Sequence, residues 1–437
     1  MAFRIDRPAF EGTVARFTYG LDGLSFTETL DFGDPPAGAA EGLSFRKLLD
    51  LTAIVLGTSY FKLKAPTEIE APDIPFTEAE RAFALDVYEN GLGEFYARNQ
   101  LKRFGRLSFA GPDDGRVIPA PMLRSRVLLP IGGGKDSLVS VALLEEAGVD
   151  FTPFAVNPRG PIVTSIRRIG REPVYVTRVL DPEMIRLGSE PGYYNGHVPS
   201  TAINSMIAAL CALLFSFDRI VLSNERSASE GNMHWDGREV NHQYSKSLGF
   251  EEAIADILAA GTDGALGYFS LLRPYSEAKI ARLFARSTRF DNAFSSCNRN
   301  FKYDGHNGPL WCGECPKCHF VFLMLAPEMT RERLIGIFGQ NLLAKPANEA
   351  SFRELTGLAG QKPWECVGEI LEAAASLWEL TQRPDWAAEP VVAALKDDLL
   401  HQYGAARLAT ALAELMTDSA EHHVPHDIAD RVATDAS

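Results

Sequence analysis

The sequence predicts an α/β protein in which a parallel sheet core follows an α+β domain and precedes a helical region. Three observations predict it. Between residues 121 and 290, short apolar runs alternate with helix-length segments, the order that builds a parallel sheet with crossover helices. One run, residues 127–131, opens directly into Gly132, Gly133 and Gly134, then into a helical pattern through Leu138, Val141, Ala142 and Leu144. Beyond residue 326, alanine, leucine and acidic residues recur at helical spacing.

At 437 residues the chain has room for two or three domains, each with its own core. The expected division is 1–120 for the α+β domain, 121–290 for the parallel sheet, 291–325 for a four-cysteine segment and 326–437 for the helical region. Residues 3–5, 12–19 and 24–30 pattern as short strands, with Leu21, Asp22 and Gly23 as a turn. Helices are predicted over 45–56 and 77–98, the second opening on a Thr77/Glu80 capping signal. Residues 57–62 read as a helix end in preference to a ligand loop, and 111–115 as a linker. The parallel strands are 127–131, 151–156, 173–179 and 219–222, with an apolar helix over 201–215 that keeps Cys211 in the core. Later helices are predicted over 328–339, 364–380, 391–403 and 405–418, and a loose tail from 421.

Composition narrows the function. A formal charge of -14 and a pI near 5.2 argue against wide contact with nucleic acid, which needs a basic face. No apolar run reaches membrane-span length, and the first residues lack the apolar core of a signal peptide. Six cysteines in so long a chain do not make a disulfide framework. The expectation is a cytoplasmic protein with neither a membrane nor a nucleic-acid partner. The sequence is silent on oligomeric state.

Strand, glycine loop and helix in that order place free backbone N–H groups at the positive end of a helix, a site for phosphate. Glycine lets the backbone approach the oxygens. Lys135 adds charge, Ser137 a donor, and Asp136 a carboxylate whose use beside phosphate is to hold Mg²⁺. A tight turn that needs glycine for sterics alone is the blander reading. The spacing is not that of the Walker loop. It resembles the Ser-Gly-Gly-x-Asp-Ser loop of the PP-loop ATP pyrophosphatases, with Gly132 in place of the first serine. That resemblance implies an adenine nucleotide alpha hydrolase-like core that splits ATP into AMP and pyrophosphate. Ligands of such sheets sit beyond the carboxyl ends of the strands, which puts Asn157, Asn224, Glu225 and Arg226 on the same rim. The segment from Leu272 to Ile280 is similar to the Arg-Pro-containing stretch that follows the sheet in these enzymes, so Arg273 and Lys279 inherit phosphate contacts. A helix start with ordinary surface charges is the alternative. His197, Val198 and Pro199 resemble the Val-Pro-x-Arg-Asn loop of the preQ0 synthases, with the arginine absent.

Cys297, Cys312, Cys315 and Cys318 follow the spacing C-x14-C-x2-C-x2-C, four soft ligands suited to tetrahedral Zn²⁺. His319 and His306 are substitute ligands, and an iron–sulfur cluster is the minor alternative. A closed four-thiolate site is structural, since it leaves no position for water.

The run Ala359, Gly360, Gln361, Lys362, Pro363, Trp364, Glu365, Cys366 is read as leading into a helix, with Glu365 and Cys366 in its first turn, where the helix dipole favours a thiolate. First-turn glutamate is also an ordinary helix-dipole choice. The whole layout resembles the UDP-MurNAc-L-Ala-L-Glu epimerases (MurL), which invert the terminal glutamate of a peptidoglycan precursor with ATP and Mg²⁺. The resemblance implies a UDP-MurNAc-dipeptide substrate and a carboxylate activated as an acyl-adenylate. Activation removes the charge that resists loss of the neighbouring α-proton, by a carbanion or an oxazolone route. Base and acid are then sought among Cys366, Glu365, His197 and His242, with Lys135 and Asp136 serving the nucleotide. His234 and His242 are, taken singly, more ordinary as surface or core histidines. Two other readings remain open: a PP-loop ligase or amidating enzyme acting on another carboxylate, and a nucleotide sensor without turnover.

Overall fold

The computed structural model describes residues 2–301 and 308–433. The chain begins with β1 (Ala2–Ile5), β2 (Ala9–Glu11), β3 (Val14–Leu21) and β4 (Leu24–Asp31). The β3–β4 hairpin closes on Asp22 and Gly23, both at positive φ (54° and 77°), the geometry of a two-residue turn that follows strand twist. Alternation buries Phe17, Tyr19, Leu21, Phe26 and Leu30 on one face. The helix Leu43–Phe61 covers that face, with Tyr60 stacked on Tyr19 at 4.6 Å between ring centres. Residues 57–61 lie inside this helix, so the segment is its end and not a loop. A side chain at Gly57 would meet the Tyr88 hydroxyl at 2.5 Å, which is why the helix carries glycine there.

The capping box at Thr77 and Glu80 starts the helix Glu78–Glu89 as expected. The predicted 77–98 helix is two helices, because the turn around Gly91 breaks it before Gly93–Arg98. β5 (Glu68–Glu70) and β6 (Ser108–Ala110) pair beside β1. Then come β7 (Arg124–Pro130), β8 (Phe151–Val156), β9 (Val174–Val179), β10 (Phe217–Leu222), the hairpin β11 (Met233–Trp235) and β12 (Arg238–Val240), and β13 (Gly267–Ser270). β5, β6, β13 and the small hairpin were not foreseen; they run only three or four residues, too few to show a period.

The protein is α/β with a mixed, mostly parallel sheet. β13, β10, β7, β8 and β9 lie side by side, all parallel. Counted along the chain from β7, their spatial order is 5-4-1-2-3, which reverses direction between β7 and β10. Such a reversal opens a crevice at the carboxyl ends of the two strands. β9 pairs antiparallel with β4, so the N-terminal strands continue the same eleven-stranded sheet. Along β7, Leu128 faces one core and Val127 and Leu129 the other. The first core holds the helices Leu43–Phe61 and Ser200–Phe215, with Cys211 fully buried. The second holds Lys135–Glu146, Glu277–Ala285, Pro316–Leu325 and the C-terminal helices.

Two expectations in the C-terminal part need correction. The helix predicted from residue 364 begins at Ile370, because Pro363 and Gly368 keep residues 359–369 irregular. The tail is not loose up to residue 433: His426–Ala433 is a helix that buries Ile428 and pairs Asp427 with Arg219 at 2.7 Å. No helix among the described residues is long and apolar enough to cross a membrane.

Lys47 is buried with Glu80 and with Asp114, the latter at 2.7 Å, all three side chains 3% exposed. Replacing Lys47 with Met leaves the buried Glu80 carboxylate without a cation, while Asp114 keeps Arg116 at 2.8 Å. That substitution is expected to cost about 3–5 kcal/mol in chemical denaturation, whereas Arg4→Met, at an exposed pair, leaves the denaturation midpoint nearly unchanged.

Candidate active site

β7 ends in the glycine loop, and the helix Lys135–Glu146 starts immediately after it with no side chain capping its N-terminus. The first-turn N–H groups therefore remain available to an anion. Gly133 sits at φ +81°, and a Cβ there would meet the backbone of Pro161 and Ile162 at 2.9–3.0 Å. A Cβ at Gly134 would meet Ser296 Oγ at 2.8 Å. Gly132 has nothing within 4 Å and the contact at Gly134 is with a rotatable hydroxyl, so sterics demand glycine at Gly133, where the obstacle is backbone. The blander reading accounts for Gly133 but leaves the open helix end unexplained.

Lys135 is 2% exposed and pairs with both Asp136 and Glu277. Burial works against the Asp136 carboxylate, but Lys135, Lys317 and Lys246 hold its pKa below the usual range. Burial pushes Glu277 up, and pushes Glu372 behind it to about 8 with help from the Glu277 charge. One oxygen of Glu372 accepts the Ala278 N–H at 2.9 Å and the other has no partner, so a proton is its natural occupant.

Cys366 stands on the loop before the helix Ile370–Thr381, half-buried, with Lys246 Nζ 3.2 Å from its sulfur. Its thiolate therefore owes nothing to a helix dipole. Burial disfavours the anion, but Lys246, a hydrogen bond from His242 and the charge of Lys317 bring its pKa down to about 5. The Lys317 ammonium also donates to the Cys366 carbonyl, and its backbone N–H donates to Glu365 at 2.8 Å. Burial and the nearby Cys366 charge leave Glu365 above the ordinary carboxylate range.

His242 Nδ1 faces Glu94 on the short helix Gly93–Arg98. Burial lowers an imidazole pKa, yet Cys366 and Glu94 together hold that of His242 up to about 9. His197 lies 3.4 Å from the same Glu94 oxygen, its ring centre 4.7 Å from that of His242. Burial and the neighbouring imidazolium push His197 down to about 4, so it is neutral where His242 is charged. The ligand atoms of Glu94, His197 and His242 all lie within 4.8 Å of one another. One cleft thus brings a thiolate, an imidazolium, a neutral imidazole and carboxylates together.

The thiol loop is pressed against Glu277, the carboxylate partner of Lys135. A Cβ at Gly368 would meet Glu372 at 2.6 Å, the Phe320 ring at 2.7 Å and Glu277 at 3.3 Å. Elsewhere the loop is tied to the segment around β11 and β12 by Asn232 Nδ2 to the Pro363 carbonyl at 3.2 Å and by Lys362 to Glu230. Arg98 lies over the Trp364 ring.

Other sequence-predicted residues are engaged in holding the cleft. Arg273, 1% exposed, pairs with Glu251 at 2.7 Å and donates to the carbonyls of Glu225 and Lys246 at 2.6 Å each. Glu225 caps a turn through the Ala228 N–H at 3.1 Å, and Asn224 bonds Ser270 Oγ at 3.1 Å. Arg226 donates to the carbonyls of Thr417 and Glu414, and Lys279 pairs with Asp418. Asn157, at φ +46°, bridges to the backbone of Arg178 on β9, and Ser137 Oγ bonds the Gly134 carbonyl at 3.2 Å. His234 is exposed on β11. Sequence reasoning missed Glu94, Lys246, Lys317 and Glu277. Lys317 carried a signal in its place inside the cysteine motif, and Glu277 lay inside the Leu272–Ile280 segment without standing out from it.

Cys297, Cys312, Cys315 and Cys318 present sulfurs that all lie within 4.8 Å of one another, with Cys315–Cys318 at 3.4 Å and Cys312–Cys318 at 3.7 Å. A tetrahedron with metal–sulfur bonds of about 2.3 Å has edges near 3.8 Å, so the donor set fits a metal ion. His319 is occupied by Ser351 Oγ at 2.8 Å and the Gly313 carbonyl at 3.2 Å, outside this group, and His306 lies outside the described residues.

A thiol, an imidazole and a carboxylate in hydrogen-bonded series, with charges set against burial in the crevice of a doubly wound sheet, define an α/β enzyme. Residues 1–271 match the family model of the MurL N-terminal domain, and residues 293–410 that of the MurL C-terminal domain. The UDP-N-acetyl-alpha-D-muramoyl-L-alanyl-L-glutamate epimerase of a Micromonospora species is 41% identical, over 96% of this chain and 94% of its own. The protein of the same name from Xanthomonas oryzae pv. oryzae is 40% identical over 98% and 96%, and that from Salinispora tropica 41% over 88% and 85%. The chain belongs to the MurL family.

Iodoacetamide should alkylate Cys366 at a rate that is flat through neutral pH and falls by half near pH 5, because the reactive thiolate is protonated below its pKa. His242→Ala should move that midpoint upward by about one unit or more, since it removes a cationic neighbour. Peptide mapping of the labelled protein across pH checks both.

Proposed function

We propose that this chain is an ATP-dependent epimerase that converts the terminal L-Glu of UDP-MurNAc-L-Ala-L-Glu to D-Glu through an acyl-adenylate, releasing AMP and pyrophosphate for peptidoglycan synthesis. The observation that carries the reading is the ionised Cys366–His242 pair, joined through Lys246 to Asp136 at the end of the glycine loop. Its similarity to proteins named as this epimerase, over nearly its whole length, supports the choice of substrate.

In this reading the PP-loop core binds ATP, with the amides of Gly132, Gly133, Gly134 and the first helical turn around the phosphates. Lys135 leaves its carboxylate partners to meet the phosphate charge, and Ser137 adds a donor. Asp136 would hold Mg²⁺, which would supply positive charge to balance the departing pyrophosphate. Arg273 shapes the pocket by fixing the backbone of Glu225 and Lys246. Attack of the substrate carboxylate on the α-phosphorus forms the adenylate and removes the negative charge beside the α-carbon. The α-proton then becomes acidic enough for a side chain of ordinary basicity to take. The neutral imidazole of His197 is suited to accept a proton and the imidazolium of His242 to return one, both steered by Glu94. Glu365 and Lys317 hold the thiol loop in register. The four cysteines would bind a structural Zn²⁺, tying the helix Pro316–Leu325, and with it Lys317, to the cleft.

Incubation with ATP, Mg²⁺ and UDP-MurNAc-L-Ala-L-Glu should yield D-glutamate on chiral analysis after hydrolysis, with AMP and pyrophosphate as products. ADP with orthophosphate, or no D-glutamate, defeats the reading. Lys135→Ala should lower AMP formation by more than about 100-fold. Metal analysis should find zinc on the purified protein, and Cys315→Ser should lose it and lower thermal stability.

A further inference from the structure

We propose that Cys366 is a covalent nucleophile: its thiolate takes the activated acyl group from the adenylate as a thioester, and the α-carbon inverts while attached to sulfur. This rests on the adenylation reading and adds to it an intermediate and a residue role.

The geometry separates nucleophile from proton carrier. His242 is hydrogen-bonded to Glu94 and interacts with the thiol of Cys366, which Lys246 contacts at 3.2 Å, so thiol, imidazole and carboxylate stand in series, the arrangement that activates a nucleophile. Two ammonium groups flank the cysteine: Lys246 lies 3.2 Å from the sulfur and Lys317 donates to the residue's own carbonyl. A sulfur so surrounded stays an anion throughout the working pH range, which suits attack on carbon. The same surroundings make it a weak base, poorly suited to pull a proton from carbon. Its position agrees. Gly368, two residues on, lies against Glu277, the partner of Lys135, and Lys246 interacts with both the Cys366 sulfur and Asp136. The thiolate therefore borders the place where an adenylate would form.

The step balances. Sulfur attacks the acyl carbon, the carbon–oxygen bond to the phosphate of AMP breaks, and AMP leaves with that electron pair. Sulfur donates poorly into the carbonyl, so the thioester α-proton is more acidic than that of a carboxylate. It passes to an imidazole of the His197–His242 pair, and a proton is returned to the opposite face. Water then adds to the thioester carbon, the carbon–sulfur bond breaks toward sulfur, and carboxylate, the free thiolate and two protons result. Loss of the thiolate charge on acylation also removes one of the groups that keep His242 protonated, readying it to exchange its proton. AMP departs before inversion.

The test is rapid acid quench of the full-length protein turning over ATP, Mg²⁺ and UDP-MurNAc-L-Ala-L-Glu, read by intact-mass spectrometry and peptide mapping. Wild type is expected to gain the mass of the substrate less one water, on the Cys366 peptide, only with ATP, and to lose it to hydroxylamine. Cys366→Ser is expected to accumulate the corresponding ester, since an alkoxide leaves less readily. Cys366→Ala should give no adduct and lose inversion by more than about 100-fold. AMP and inverted product with no adduct on either wild type or Cys366→Ser overturns the proposal, as does Cys366→Ala inverting at the wild-type rate. Absence of AMP from the wild-type reaction instead removes the adenylation reading and this one with it, so AMP tells the two failures apart.

Discussion

The buried ammonium of Lys135, held between Asp136 and Glu277, is the charge on which the cleft is balanced. Around it stand Glu277 and Glu372, and none of these carboxyls has bulk water to screen it. A carboxylate in such surroundings is stable only when paired or protonated, and both solutions appear side by side. Glu277 has the lysine; Glu372, with one oxygen unpartnered, is held toward its neutral form. Any anion that draws Lys135 toward the glycine loop must be matched by a change at these carboxyls. Nucleotide phosphate and a divalent cation arriving together would supply that match.

The second cationic layer, Lys246 and Lys317, lies between this network and Cys366. The same two ammonium groups lower the pKa of Asp136 and of the thiol, so the glycine-loop end and the thiol end of the cleft share their counter-charge. Close approach makes that sharing possible. Gly133, Gly134 and Gly368 each stand where a Cβ would collide with a neighbour at 3.0 Å or less. The zinc-type knuckle contributes at one remove, because the helix that begins at Pro316 carries Lys317 and also lays Phe320 under Gly368.

The cleft belongs to no single stretch of chain. Glu94 comes from the N-terminal helices, His197 from the loop after β9, His242 from the loop after β12, and Cys366 from the C-terminal region. The two matched family models divide at the same cleft, with Glu94, His197 and His242 in the first and Cys366, Glu365 and Lys317 in the second. Neither part holds the thiol–imidazole pair alone. The continuous sheet through β4 and β9 keeps the contributing segments in register.

Local chemistry made much of this legible in advance. Alternation along β3 and β4, the Asp22–Gly23 turn, the Thr77 capping box, the glycine loop and the cysteine spacing are all short-range, and each strand or helix they implied is present. His197, His242 and Cys366 were singled out by residue type, but their meeting was not readable, since more than a hundred residues separate His242 from Cys366. Where a local rule was extended too far, as in starting a helix at residue 364, the reason it gave for a thiolate at Cys366 fails: tertiary lysines, not a helix dipole, favour that anion. Glu94, Lys246 and Glu277 looked like any surface charge. By itself the sequence determined which segments become strands and helices, and where soft ligands and a phosphate-type loop lie, because those depend on neighbours a few residues away. Which charges face one another, and hence which groups are ionised, only the tertiary structure decided, because electrostatic coupling follows distance in space and the dielectric left after burial.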